Sequence, residues 1–406
     1  MNVILLNAKL VTMEKGNSGY TPTSPCTVII KDGDITQIIP TIELGSAAYP
    51  NYPILDCKGA LVTPGFIDPH THLVFAGSRA EEFEARLNGE SYETIAKRGG
   101  GINSTVMATR SASLEDLITL ALPRLDSLIN SGCTTVEIKS GYGLTLEDEV
   151  KMLTAAKSLE QHRRVNITTT LLAAHAVPKE YLDDADGYIH YVANTIIPYV
   201  AEHQLADAVD VFCESIGFNL QQTEQVFKAA AQHGLAIKGH TEQLSNLGGT
   251  TLAAQYHAQS ADHIEYLDET GVRAMAKSGT VATLLPGAFY FLRETQLPPI
   301  HALRAHQVPM ALGSDLNPGT SPFADLRLMM NMACTLFRLT PEEALRAVTC
   351  HAAQAIGMQD SIGQIRVGYT ADLVVWDIKH PSELSYQVGM GELKHRIVKG
   401  VIENVR

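Results

Sequence analysis

The 406-residue chain lacks several things that would place it quickly. It has no C-x-x-C pair; its six cysteines (Cys26, Cys57, Cys133, Cys213, Cys334 and Cys350) are scattered. That excludes a disulfide framework of the small secreted kind and reads as reduced cytosolic thiols. It has no excess of positive charge: 31 Lys and Arg stand against 44 Asp and Glu, a formal net charge of −13. Such a balance argues against nucleic acid and anionic membrane surfaces as partners, while leaving room for an anionic small molecule in a locally basic cleft. No apolar run approaches the roughly 18 residues of a membrane span. The opening "MNVILLNAKLVTMEKG" has neither a basic n-region nor a small-residue cleavage site, so a soluble cytoplasmic protein is expected. No glycine fingerprint follows a first strand, which weakens the case for a doubly wound open sheet.

What is present has two textures. "NVILLNAKLVTM" and "CTVIIKDGDITQIIP", the latter turning at Lys31-Asp32-Gly33-Asp34, are β-rich, and so are "IGQIRVGYTADLVVWDI" and "LKHRIVKGVIENV" near the other end. The two ends are therefore expected to form one small β-sandwich domain, residues 1–62 with 358–406. Between them the chain alternates. Eight strand-like runs ("GFIDPHTHLV", "TTVEIKS", "NITTTLLAA", "DAVDVFCES", "LAIKGHT", "SADHIEYL", "TVATLLPG" and "VPMALGSD") are separated mostly by helix-like segments. Helix starts are legible at Ser113-Leu114-Glu115-Asp116, Thr145-Leu146-Glu147-Asp148 and Thr340-Pro341-Glu342-Glu343, and Gly234 suits a helix end. This alternation predicts an α/β fold of the TIM-type (β/α)8 barrel class over residues 63–357.

A barrel of this kind presents its chemistry at strand C-termini. His70 and His72 end the first run; in extended backbone they share a face. With 15 histidines, chance alone supplies about half an H-x-H, so the pair means little by itself. The third run, however, leads to His175, the fifth to His240, the sixth to His263 and the eighth to Asp315. Five histidines and an aspartate at one rim point to a metal, and nitrogen with carboxylate donors suits Zn²⁺ or Fe²⁺. The remaining histidines fall in helix-like, loop or terminal segments and receive no role.

"GFIDPHTH", the histidine after the fifth strand, "DHIEYL", "GSDLNPG" and "IGQIRVGYTADLVVWD" together resemble the amidohydrolase superfamily over essentially the whole chain. More narrowly, "PHTHLVFAGSRAEEFEARLNGESYETIAKRGGGI", "EIKSGYGL", "LLAAHAVP" and "SDLNPGTSP" resemble its ring-opening hydrolases of histidine degradation. The resemblance implies a metal held by His70, His72, His240 and Asp315. It implies substrate contacts from Arg79, Tyr142, His175, Gln243, Asn317, Gly319 and Thr320, with Tyr92 as a further contact for an acidic tail. Binuclear relatives bridge two metals through a carboxylated lysine on strand four; "DAVDVFCES" has none, so one divalent ion per chain, zinc or iron, is expected, and Glu214 is expected to hold a hydrogen bond nearby. Some family members carry glutamate three residues after the fifth-strand histidine. Here Gln243 stands there, with Glu242 beside it, which puts a base at that position in doubt.

The implied reaction is hydrolysis of the cyclic amide of 4-imidazolone-5-propanoate to N-formimidoyl-L-glutamate. A divalent ion would lower the pKa of water from about 15.7 to roughly 7. Asp315 would ligate and accept the proton, His263 would stabilise the carbonyl oxygen, and Arg79 would clamp the propionate. Against Arg79 stands its reading as a solvated loop charge beside Glu81-Glu82. The nearest alternative is a mononuclear deaminase of the cytosine or guanine type, with Glu242 as proton shuttle; a non-catalytic scaffold is the remaining one. The partner implied is a small anionic substrate. A homodimer is compatible with the sequence.

Overall fold

The computed structural model describes residues 1–14, 19–41, 49, 51–90 and 100–404. The N-terminal run supplies β1 (Val3–Leu10), β2 (Cys26–Lys31), β3 (Asp34–Pro40), β4 (Ile54–Asp56) and β5 (Leu61–Pro64). The β2–β3 turn places Asp32 and Gly33 at φ 55° and 95°, as a two-residue hairpin loop with both central residues left-handed requires.

Eight parallel strands follow: β6 (Phe66–Asp68), β7 (Cys133–Lys139), β8 (Asn166–Ala174), β9 (Ala208–Cys213), β10 (Ala236–Thr241), β11 (Ser260–His263), β12 (Val281–Leu284) and β13 (Met310–Leu312). Each falls on one of the eight expected runs, β7 starting one residue earlier at Cys133, and pairs in parallel with its sequence neighbours. The first and last strands are stitched beyond their ends. Thr71 bridges Leu316 in parallel, Asp315 N donates to His70 O at 3.0 Å, and His72 N donates to Leu316 O at 3.0 Å. The result is the expected (β/α)8 barrel.

The helices start where their caps predict. Ser113 and Thr340 form capping boxes with Asp116 and Glu343, Pro341 opens its helix, and the Thr145 side chain accepts from Asp148 N. Leu117, Ala121, Leu125 and Leu128 of the helix Leu114–Asn130 are buried at i, i+4, i+8 and i+11, the face turned to the barrel.

The chain then returns to the terminal sheet through β14 (Leu373–Asp377), β15 (Glu392–Val398) and β16 (Val401–Asn404). The strand order is β16-β15-β14-β5-β1-β2-β3, with β4 also on β1. The β14–β5 pair is antiparallel and joins the two chain ends, whereas β1 runs parallel to β4 and β5, so this sheet is mixed. All six cysteines are free. Among the described residues no helix is long and apolar enough to cross a membrane.

Candidate metal centre

Pro69 has no N–H to give a ladder, and β6 stops at Asp68. His70 and His72 therefore lie just past the strand rather than within it. They are held instead by the backbone bonds to the Asp315–Leu316 segment, and Asp68 Oδ1 accepts from His70 N at 3.3 Å and Ser314 N at 3.1 Å. His240 is inside β10, and His263 ends β11 with φ 77°. Asp315 follows β13 at φ 51°. These left-handed residues turn the chain sharply at the rim, a cost carried by the surrounding packing.

The ligand atoms converge. His70 Nε2 and His72 Nε2 each stand 3.4 Å from Asp315 Oδ1, and His240 Nε2 is 3.4 Å from His72 Nε2. Donors bound at about 2.1 Å in a tetrahedron stand about 3.4 Å apart, the value of these three separations, and the ligand atoms of His70, His72 and His240 all lie within 4.8 Å of one another. His70 Nε2 is buried with no hydrogen-bond partner among the described residues. His263 also comes within reach, its ligand atom grouping with those of His70 and Asp315 inside 4.8 Å.

Two carboxylates that sequence reasoning missed fix the rings from behind. Asp262 Oδ2 lies 2.6 Å from His70 Nδ1, and Asp210 Oδ2 lies 3.1 Å from His240 Nδ1. Each leaves Nε2 facing the centre, the arrangement metal-ligating histidines favour. A signal existed: Asp210 and Asp262 are charged residues in central parallel strands, which have no solvent face to offer them.

Burial shapes the electrostatics. It pushes the His72 imidazole down to about 4, and His175 and His263 down to about 3, so all three rings are neutral at pH 7. Burial and the Lys139 charge also oppose a protonated His70, but Asp262 and Asp315 outweigh them and hold it up to about 9. Asp315 stays well below the usual carboxylate range: burial resists its charge, and His70 and His72 overcome that resistance. Burial, then the Asp315 charge, raises Tyr142 above an ordinary phenol.

The other expected contacts divide. His175 stacks on His72 with centroids 5.3 Å apart and 17° between planes, while its Nδ1 is 2.9 Å from Gly141 O. The Tyr142 ring lies 6.0 Å from His72 and 5.4 Å from His175. Gln243 is buried just beyond β10. Arg79 is not a free loop charge. Its Nε and one terminal nitrogen both reach Glu82 Oε2 at 3.0 Å, and it lines a cavity of about 430 Å³ with Phe75, Phe83, Arg124, Phe291 and Pro318. Its other terminal nitrogen lies where a Cβ on Gly319 would fall, 2.3 Å away, so the missing side chain there is what lets the guanidinium pass.

Asn317 differs from expectation. Its Oδ1 accepts from Gly319 N and Thr320 N at 2.8 and 2.7 Å, and its Nδ2 donates to Asp315 O at 2.7 Å and lies 2.9 Å from Thr320 Oγ1. The amide thus shapes the loop that carries Asp315 and is occupied there, as is the Thr320 hydroxyl. Tyr92 lies outside the described residues.

The two glutamates are likewise engaged. Glu214 accepts from Leu244 N at 2.9 Å and Ser245 Oγ at 2.6 Å, which is the expected hydrogen-bonding role. Glu242, turned outward by φ 52°, accepts from Gly248 N, Gly249 N and Thr250 N at 2.9, 2.8 and 2.8 Å, at the start of the helix Gly249–Gln255. That leaves it aimed away from the histidines, against the shuttle a deaminase would need.

The model of the amidohydrolase family matches residues 61–402, and the chain belongs to that family, whose members are metal-dependent hydrolases. Relatives named imidazolonepropionase include one from Vibrio cholerae serotype O1, 66% identical over 400 residues and covering 98% of both chains. Another, from Psychromonas ingrahamii, is 58% identical over 406 residues and covers 100% of both; with these the chain falls in the imidazolonepropionase group. Among solved structures, 5-methylcytosine deaminase from Klebsiella pneumoniae has a similar fold at TM-score 0.74 and 16% identity, covering 100% of this chain and 99% of that one. An adenosine deaminase from Xanthomonas campestris with bound zinc gives 0.70 and 19%, covering 100% and 93%. At such identities the likeness is one of fold alone.

Proposed function

We infer that this chain hydrolyses the ring amide of 4-imidazolone-5-propanoate to N-formimidoyl-L-glutamate, a step of histidine degradation. The observation that carries the reading is full-length identity of 58–66% with imidazolonepropionases. The chain is organised for this as a barrel unit, 63–357, and a terminal unit, 1–62 with 358–406; which sheet each strand joins supports the division, save that β5 carries the terminal sheet on to Pro64.

One divalent ion, zinc or iron, would be held by His70, His72, His240 and Asp315; the three 3.4 Å separations among them support this assignment. Such an ion supplies Lewis acidity and makes water nucleophilic near neutral pH. Asp315, ionised and buried, takes the proton of the attacking water and returns it to the ring nitrogen as the C–N bond breaks. The water oxygen ends in the new carboxylate. His263, neutral and with its buried Nδ1 unpartnered among the described residues, is free to donate one N–H to the carbonyl oxygen as charge develops there. Gln243, a neutral amide, orients the ring rather than moving protons. Tyr142 and His175 flank the ring, the Gly319-Thr320 backbone borders it, and Asn317 acts through that loop. Arg79 and Tyr92 receive the propionate. The negative overall charge and the free cysteines support a cytoplasmic enzyme of small-molecule metabolism.

The test is an assay on 4-imidazolone-5-propanoate together with metal analysis. Formation of N-formimidoyl-glutamate with one metal equivalent is expected. Ammonia release from a neutral base with no ring opening would overturn the reading, and two required equivalents would overturn the single-ion centre.

A further inference from the structure

Below the rim the barrel interior holds charge that no solvent reaches. Glu137, Lys139, Asp210, Lys238 and Asp262 are each at most 1% exposed. The Lys139 ammonium stands 2.9 Å from Glu137 Oε1, 2.9 Å from Asp210 Oδ2 and 3.7 Å from Asp262 Oδ2. Two of these oxygens are the same atoms that hold the histidines: Asp262 Oδ2 on His70 and Asp210 Oδ2 on His240. One cation from β7 therefore touches both carboxylates, from β9 and β11, that orient ligands on two other segments of the barrel.

We propose that Lys139 is a positioning residue of the metal centre, tying Asp210 and Asp262 together and so fixing the orientation of His240 and His70. The inference rests on the metal reading above. Its physical basis is Coulombic: without the ammonium, three carboxylates face one another in a low-dielectric interior and separate, carrying the rings that rest on them. A lysine suits the place because one compact charge hydrogen-bonds Glu137 Oε1 and at the same time pairs with Asp210 and Asp262 at 2.9 and 3.7 Å. Lys238 provides the contrast within the same cluster. It donates to Pro69 O at 3.0 Å and stands 3.5 Å from Glu137, and its ion-pair partner is that glutamate rather than a histidine-bearing carboxylate.

The experiment strips the full-length chain of metal and titrates Zn²⁺ alone against a competing chelator, with thermal unfolding of the metal-free form measured in parallel. Lys139→Gln is expected to weaken Zn²⁺ binding ten- to a hundredfold, the effect typical of lost outer-shell partners. Lys238→Gln is expected to cost comparable stability yet change affinity less than about threefold, because it leaves both ligand-holding carboxylates in place. Equal affinity losses in the two variants, or none in Lys139→Gln, would mean a merely structural charge and overturn the proposal. Should Lys139→Gln fail to fold, Lys139→Arg keeps the charge but substitutes a planar fork for the compact ammonium; weakened binding is again expected, and unchanged binding again overturns the idea. A parent protein that binds no Zn²⁺ or Fe²⁺ would remove the metal reading and this inference with it, whereas a tight parent with unchanged variants removes only the role of Lys139.

Discussion

In the proposed function, His263 and Arg79 carry the most chemistry for single side chains outside the four proposed ligands. Burial keeps His263 neutral, so the contribution proposed for it is one directed N–H rather than a charge. His263→Asn should therefore keep its metal and lose about a hundredfold in kcat, the usual cost of one lost oxyanion donor. Metal analysis beside turnover decides the matter, since His263 stands close enough to His70 and Asp315 to ligate: a variant lacking both metal and activity would make it a ligand. Arg79 has one edge on Glu82 and the opposite nitrogen against Gly319, the placement on which its proposed clamp for an anionic tail rests. Such a clamp acts alike in ground and transition states, so Arg79→Met should raise KM for the propanoate substrate about ten- to a hundredfold with kcat nearly unchanged. An unaltered KM would return Arg79 to a purely structural pairing.

At the scale of elements, the segment after β10 shows how a local choice of backbone assigns roles. Thr241, Glu242 and Gln243 follow His240 directly, and the left-handed Glu242 sends its carboxylate to the amides of the helix Gly249–Gln255 instead of into the barrel mouth. Three N–H groups and a hydroxyl converge on it, a buried carboxylate seated on backbone donors that the helix start leaves without partners. Glu242→Gln should thus lower unfolding free energy by about 1–3 kcal/mol while leaving kcat of the folded enzyme within about threefold. Denaturant melts and turnover on the same samples separate the outcomes. A large loss of kcat at full stability would identify Glu242 as a proton carrier and revive the deaminase-like reading.

For the whole molecule, the terminal sheet is fastened to the end of the barrel opposite the catalytic rim. Trp376 on β14 packs on Phe66 at 5.3 Å, donates to Thr63 Oγ1 at 2.9 Å and crosses over Gly132, where a Cβ would meet its ring at 2.9 Å. Asn166 at the start of β8 donates to Asp372 at 2.7 Å, and Arg396 donates to Cys133 O at 3.0 Å. On the barrel side, Phe66, Gly132, Cys133 and Asn166 lie at strand beginnings, whereas the proposed metal ligands lie at or just past strand ends. Trp376→Ala should accordingly destabilise the protein by about 3–5 kcal/mol, the usual cost of deleting a buried aromatic, with kcat/KM of the folded fraction within about twofold. A selective loss of kcat/KM in a variant that remains fully folded would show that the terminal sheet reaches the chemistry.

Much of this was written in the chain itself. Eight apolar runs, the caps at Ser113, Thr145 and Thr340, and histidines just past the strands are features of residues within a few positions of one another. Periodicity and capping act over that range, so they are legible without a fold. The tertiary structure alone decided the rest. It showed that Pro69 ends the ladder before His70, that Asn317 is occupied within its own loop, and that Glu242 turns away from its neighbour Gln243. Above all, it brought Lys139 from β7, Asp210 from β9 and Asp262 from β11 to one buried point behind the histidines. Those residues are more than fifty positions apart in sequence, and their charges find one another only because barrel closure seals the interior from water, where an ion must be paired to be held.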